Sequence, residues 1–276
     1  MPATATVNCA APPAGAPAPA ISRCGWLVGL RISPVVSEFP DWSPSPNIRD
    51  HPDTYQLENE AFDPDGLVLD QMRRLAPWLG RHLVDLGCGT GFWLPGYAAE
   101  AATVTGVEPD PTLAVRARER VGSVRNARVL AGSAEHLPLP DGSVDVVHAR
   151  FAYFFGAGAE AGLAEVMRVL RPGGALVVVD NDRDAGEFAE LLTTAGTGNG
   201  AVDGAATRAW WARAGASRST VAAQWRFARR ADFEAVLGIE FPAEVAADWL
   251  RRHPDRLGLS YGYALYRARR TATGAK

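Results

Sequence analysis

The chain reads as an α/β fold, a mainly parallel sheet with helices on both faces, and three observations predict it. Short apolar runs alternate with stretches of helical periodicity from Leu83 onward, the pattern of strands joined by crossover helices. The first run, Leu83-Val84-Asp85-Leu86, leads into Gly87-Cys88-Gly89-Thr90-Gly91, a glycine-rich turn of the kind that lets a ligand approach bare backbone. The next run, Thr103 to Val107, is followed by Glu108, about 20 residues on from the turn, where an acidic side chain takes ribose hydroxyls in open parallel sheets.

Residues 1–46 are rich in Ala and Pro and have no acidic residue before Glu38. They cannot build a core, so they read as a disordered tail preceding a domain over 47–276. His51–Asn59 is a short helix entered after a proline, Phe62–Gly66 a turn cluster, and Leu67–Leu79 a helix with apolar residues at helical spacing. Leu83–Leu86 is the first strand, Phe92–Ala99 its helix and Thr103–Val107 the second strand. Pro111 opens the next helix, where its missing N–H is harmless, and that helix runs to Val121. Ala127–Leu130, Val144–Ala149 and Ala175–Asp180 are the third to fifth strands, with a helix at Leu163–Leu170 and a tight turn at Arg171-Pro172-Gly173-Gly174. Ala185–Thr194 and Thr207–Ala214 read as helices around a flexible loop, 195–204. Thr220–Phe227 and Leu259–Tyr266 read as strands flanking helical stretches at Ala231–Leu237 and Ala243–Arg252.

The glycine spacing is G-x-G-x-G. A dinucleotide fingerprint would need its third glycine at Phe92, where a phenyl ring forbids close helix–strand packing. Asp85 beside the turn would repel a pyrophosphate and attract a cationic amino group, so the expected ligand carries an ammonium and a ribose rather than a phosphate ester.

Together with Gly132 to Val147 (GSAEHLPLPDGSVDVV) and Val169 to Leu176 (VLRPGGAL), the stretch VDLGCGTG resembles the class I S-adenosylmethionine-dependent methyltransferases, within their small-molecule group. The matching stretches run from about Leu67 to Asp182. This resemblance implies a doubly wound, mainly parallel, Rossmann-like sheet of seven strands, ending in an antiparallel pair. It implies S-adenosyl-L-methionine as cofactor, with Asp85 toward the ammonium, Gly87, Cys88, Gly89 and Gly91 beneath the ligand, and Glu108 on the ribose. Ser133, Ala134 and Glu135 would edge the adenine, Ala149 would end the fourth strand beside it, and Tyr55 would close over the cofactor. Many relatives have an acidic residue where this chain has Ser133, which leaves a hydroxyl or backbone to meet the adenine amino group. His148 as a base and Tyr153 against the acceptor are the catalytic candidates, within an aromatic run that continues to Phe155. Trp210-Trp211 is a candidate lid.

A formal net charge of −3, and a single lysine at position 276, give no overall attraction to nucleic acid. No apolar run approaches the ~20 residues of a membrane span. Cys9, Cys24 and Cys88 are odd in number and lack C-x-x-C spacing, which supports neither a disulfide framework nor a metal site and fits the cytoplasm. The expected partner is therefore a small-molecule methyl acceptor. A catalytically silent cofactor-binding module is the alternative reading, and a dinucleotide oxidoreductase is disfavoured by Phe92 and Asp85.

Overall fold

A computed structural model of the chain describes residue 39 and residues 42–153, 155–196 and 204–271. The expectations for Cys9, Cys24, Phe154 and Lys276, for most of the tail over 1–46 and for most of the loop over 195–204 fall outside the described residues.

The strands are β1 (His82–Leu86), β2 (Thr103–Glu108), β3 (Ala127–Ala131), β4 (Val144–Arg150), β5 (Leu170–Asn181), β6 (Ser217–Arg226) and β7 (Gly258–Arg269). They form one sheet in the order β3-β2-β1-β4-β5-β7-β6. The first five strands run parallel, and β7 is antiparallel to both β5 and β6. Alternation along each strand sends Leu83, Val104, Val146 and Val177 into one core cluster and Val84, Val107, Val147 and Val178 into the other. Both faces are thus buried, as the apolar runs require. Strand order reverses at β1, which lies between β2 and β4, and ligands of open α/β sheets bind outside the carboxyl ends of the strands at such a point.

The helices are α1 (Pro46–Asp50), α2 (Pro52–Ala61), α3 (Leu67–Leu75), α4 (Leu94–Ala98), α5 (Pro111–Val121), α6 (Glu160–Val169), α7 (Glu187–Thr194), α8 (Gly204–Arg213), α9 (Arg230–Glu240) and α10 (Ala243–Arg252). Among the helices, α6 and α8 supply the second cluster, with the segments between β3 and β4 and between β4 and α6; most of the other helices pack into the first. Among the described residues, no helix is long and apolar enough to cross a membrane.

Proline sets two of the observed boundaries. The helix expected at His51–Asn59 is α2, and the short α1 precedes it; Pro52 separates the two by driving His51 out of the helical region, to φ −131° and ψ 51°. The helix from Leu67 stops at Leu75 rather than Leu79, since Ala76 precedes Pro77 and is extended. Strand β5 begins earlier than expected, at Leu170. Its pairing with β4 jumps from Val144↔Leu170 to Val146↔Ala175, so the Arg171–Gly174 turn is an irregularity inside the strand. Asp145 secures this point, accepting from the His82 N–H at 2.9 Å and the Arg171 guanidinium at 2.7 Å.

Helix α2 lies over the carboxyl edge of the sheet, against α9. Asn47 donates to the Glu240 carboxylate at 2.6 Å, and Glu58 lies against the same carboxylate. Burial first, and then the Glu240 charge, push the Glu58 carboxyl well above its ordinary range; burial also raises Glu240. A carboxyl whose folded pKa is raised adds stability below its unfolded pKa and loses it as pH rises through the folded one. Glu58→Gln should therefore raise Tm more at pH 8 than at pH 5, by about 2–4 °C for each ~1 kcal/mol relieved. Thermal melts at the two pH values test this; equal shifts would show that the two carboxyls do not share a proton.

Candidate functional site

The glycine turn is tied to the end of the neighbouring strand. Beyond Leu86 the chain passes through left-handed backbone at Gly87 (φ +68°) and Gly89 (φ +56°). The N–H groups of Gly87 and Cys88 donate to the Val107 carbonyl at 2.8 and 3.2 Å. Glu108 is 5% exposed; one carboxylate oxygen accepts the Gly89 N–H at 2.7 Å and the other the Asp110 N–H at 3.0 Å. Burial raises its pKa to about 7 despite these two hydrogen bonds. Asp110 in turn caps α5, accepting from the N–H groups of Thr112 and Leu113.

Neighbouring side chains make the close approach that the glycines permit. A Cβ on Gly87 would lie 2.4 Å from Ala152 Cβ, and one on Gly89 would lie 2.7 Å from Ile48 Cδ1 of α1. The Cys88 side chain turns the other way, into the core, where its sulfur packs against Gly106 of β2; burial raises its thiol well above the ordinary value. Cys88 thus presents only backbone to the turn and is a poor nucleophile.

Asp85 is 1% exposed and faces a cation that the sequence reading missed: the Arg150 guanidinium stands 3.4 Å from its carboxylate. Burial raises the Asp85 pKa, with Arg150 opposing. The signal was in the register, since Asp85 pairs with His148 and Arg150 follows two residues later on the same face of β4. Tyr55 of α2 is half-buried near this group; burial, then Glu58 and Glu240, raise its hydroxyl pKa, and Arg150 acts in the opposite direction.

The adenine-edge candidates separate. Ala134 is buried in the second core cluster, Ser133 bridges to His136, and the Glu135 carboxylate accepts the Tyr153 hydroxyl at 2.7 Å. That hydroxyl also accepts the N–H of Gly162 at 3.2 Å, and the Tyr153 ring fills the space a side chain at Gly162 would need. Phe151 and Tyr153 both have positive φ, +48° and +43°, which costs about 1–3 kcal/mol at a non-glycine residue. Phe151 is held edge-on to Phe62, and Tyr153 by the Glu135 and Gly162 hydrogen bonds. Tyr153 anchors this segment to α6.

His148 is not placed to be a base. It is fully buried between Trp78 and Tyr97, with ring centroids at 5.0 and 5.1 Å, and neither ring nitrogen has a hydrogen-bond partner. Burial, with Arg150 adding, lowers its pKa to about 3. The imidazole stays neutral and out of a ligand's reach. Ala149 points to the opposite face, into the second cluster. The lid expected of Trp210-Trp211 is a core element instead: Trp211 stacks on Tyr266 and Trp210 donates to Glu160 at 2.8 Å. A tryptophan pair on a helix reads alike for either role, and burial decides it. Among the described residues, no group of His, Cys, Asp and Glu is arranged to hold a metal ion.

Residues 84–178 match the family model described as "Methyltransferase domain". Over these residues the chain is similar to class I S-adenosylmethionine-dependent methyltransferases. It is 33% identical over 112 residues to the malonyl-[acyl-carrier protein] O-methyltransferase of Serratia marcescens, covering 41% of this chain and 42% of that one. It is 36% identical over 109 residues to a ubiquinone/menaquinone biosynthesis C-methyltransferase of Rubrivivax gelatinosus, covering 40% and 43%. The aligned stretch thus spans less than half the length of these relatives. A crystal structure of a putative methyltransferase from Bacillus halodurans superposes with a TM-score of 0.54 at 18% identity, over 74% of this chain and 98% of that one, a likeness of fold.

The enclosed imidazole generates a prediction. A buried polar group without a partner costs about 1–3 kcal/mol, so His148→Leu should leave stability unchanged or raise it by up to that amount. Tyr153→Phe, which removes two hydrogen bonds from a strained segment, should lower stability by about 1–3 kcal/mol. Urea unfolding measures both; marked destabilisation by His148→Leu would mean that the imidazole has a partner.

Proposed function

We propose that the chain transfers a methyl group from S-adenosyl-L-methionine to a small-molecule acceptor. The observation that carries this reading is the buried Glu108 carboxylate at the end of β2, facing the glycine turn and bound to its Gly89 N–H. A carboxylate has about four acceptor positions, so two backbone N–H contacts leave room for a ribose diol. Asp85 supplies the negative charge for an ammonium, and the glycines supply backbone without side chains. The residues therefore fit the cofactor in chemistry.

When bound, the cofactor supplies a methyl group already activated on a sulfonium, so the protein's task is alignment and exclusion of water. Alignment of this kind is worth roughly 7–11 kcal/mol. Glu108 and Asp85 would fix the two ends of the ligand. The segment from Phe151 to Tyr153, locked by its ring contacts and by Glu135, would form the acceptor side, with Tyr153 as a positioning residue. Helices α1 and α2, held to α9 through Asn47 and Glu58, would keep solvent out. No proton transfer is assigned to His148. A small acceptor is supported by the net charge of −3, which gives no overall attraction to nucleic acid, and by a relative named for ubiquinone/menaquinone biosynthesis.

Hydroxyls that donate to Glu108 need its ionised form. Affinity for S-adenosylhomocysteine should therefore rise with pH and level off above about 7, where the carboxyl is deprotonated. Glu108→Gln should flatten that profile, and Glu108→Ala should weaken binding tenfold or more, each charge-assisted bond contributing about 1.5–3 kcal/mol. Calorimetry across pH 5.5–8.5 measures all three, and wild-type affinity in both variants would remove Glu108 from the site. Labelled methyl transfer into a small-metabolite extract, against bulk RNA and DNA, tests the acceptor class. Label confined to nucleic acid would overturn it.

A further inference from the structure

Arg150 ends β4 at the carboxyl edge of the sheet, one residue past the register partner of Leu86 and beside the glycine turn. Its side chain is only 9% exposed. Among the described residues it makes one hydrogen bond, to Asp85 at 3.4 Å, long for a charge-assisted contact, and its buried Nε has no partner. The guanidinium carbon sits 4.5 Å from the ring centroid of Trp93 and 5.6 Å from that of Tyr97. Aromatic faces attract the charge but accept none of the in-plane N–H bonds. The guanidinium is largely buried here, with its Nε donor unspent and its Nη2 contact to Asp85 long, an arrangement that costs stability unless an acceptor arrives. A planar fork of donors matches a carboxylate bidentately.

We propose that Arg150 binds the carboxylate of the cofactor's amino-acid end while Asp85 takes the ammonium. This rests on the S-adenosylmethionine reading above. A zwitterion carries both charges on one carbon, and the Asp85–Arg150 pair presents their complements side by side. The pair also explains the loose 3.4 Å contact: each member keeps hydrogen-bonding capacity for the ligand rather than spending it on the other. Trp93 and Tyr97 hold the guanidinium in place, and the Asp85 charge keeps it from leaving the edge of the sheet. An acceptor carboxylate has the same chemistry, so the test separates the two sources.

Calorimetry on the full chain compares S-adenosylhomocysteine with its decarboxylated analogue, which keeps the ammonium. The wild type should prefer S-adenosylhomocysteine by about tenfold or more, as expected for a lost charge-assisted pair. Arg150→Met should lose that preference, its S-adenosylhomocysteine affinity falling about tenfold while the analogue binds within twofold of wild type. Arg150→Lys keeps the charge for folding but not the fork, and should show an intermediate preference. Parallel loss of both ligands would reduce Arg150 to a structural role and overturn the proposal. So would an unchanged preference accompanied by a raised KM for a carboxylate-bearing acceptor, which would assign the residue to that molecule. Wild-type binding of neither ligand would instead remove the cofactor reading itself.

Discussion

The hydrogen bond from the Gly89 N–H to the Glu108 carboxylate, 2.7 Å long and sealed from water, is the constraint on which the rest of the edge depends. It joins the turn after β1 to the end of β2. Through the Asp110 N–H on the other carboxylate oxygen, it also sets where α5 begins. With both ends fixed, Gly87 comes against Ala152 and Gly89 against Ile48, so the segment after β4 and helix α1 take their places from the same bond. A carboxyl raised to about 7 is the energetic consequence of building this junction out of water.

Buried charge is concentrated at this edge. Asp85, Glu108 and Arg150 lie at or near the carboxyl ends of β1, β2 and β4, while the interiors of these strands carry apolar residues, the Thr105 hydroxyl and one neutral imidazole. Structural ion pairs are usually made short and fully hydrogen-bonded; the Asp85–Arg150 pair is neither. Strain falls in the same place, in the left-handed backbone at Phe151 and Tyr153. Perturbed carboxyls, unspent donors and strained backbone in one crevice are features that folding alone does not require.

Much of this was legible in the sequence. Strand and helix alternation located all seven strands, because apolar runs and their punctuating glycines and prolines report burial directly. The glycine spacing and Glu108 located the edge, because few side chains are compatible with those backbone positions. Less legible was anything set by side-chain direction. His148 looked like a titratable group at a strand end, but strand parity turns it between Trp78 and Tyr97. Trp210 and Trp211 looked like a lid and are core. Arg150 was passed over because its partner, Asp85, lies 65 residues away in sequence. His148 and Arg150 share one face of β4, and only depth along the strand separates the enclosed imidazole from the guanidinium at the carboxyl end; composition does not.

The most direct test of the account is a crystal structure of the chain with S-adenosylhomocysteine at pH 8, where Glu108 is ionised. The account predicts the ribose diol on the Glu108 carboxylate, with the ligand seated along the Gly87–Gly91 turn at the junction of β1 and β4. A fully occupied ligand elsewhere on the molecule, or one whose ribose points away from Glu108, would contradict it.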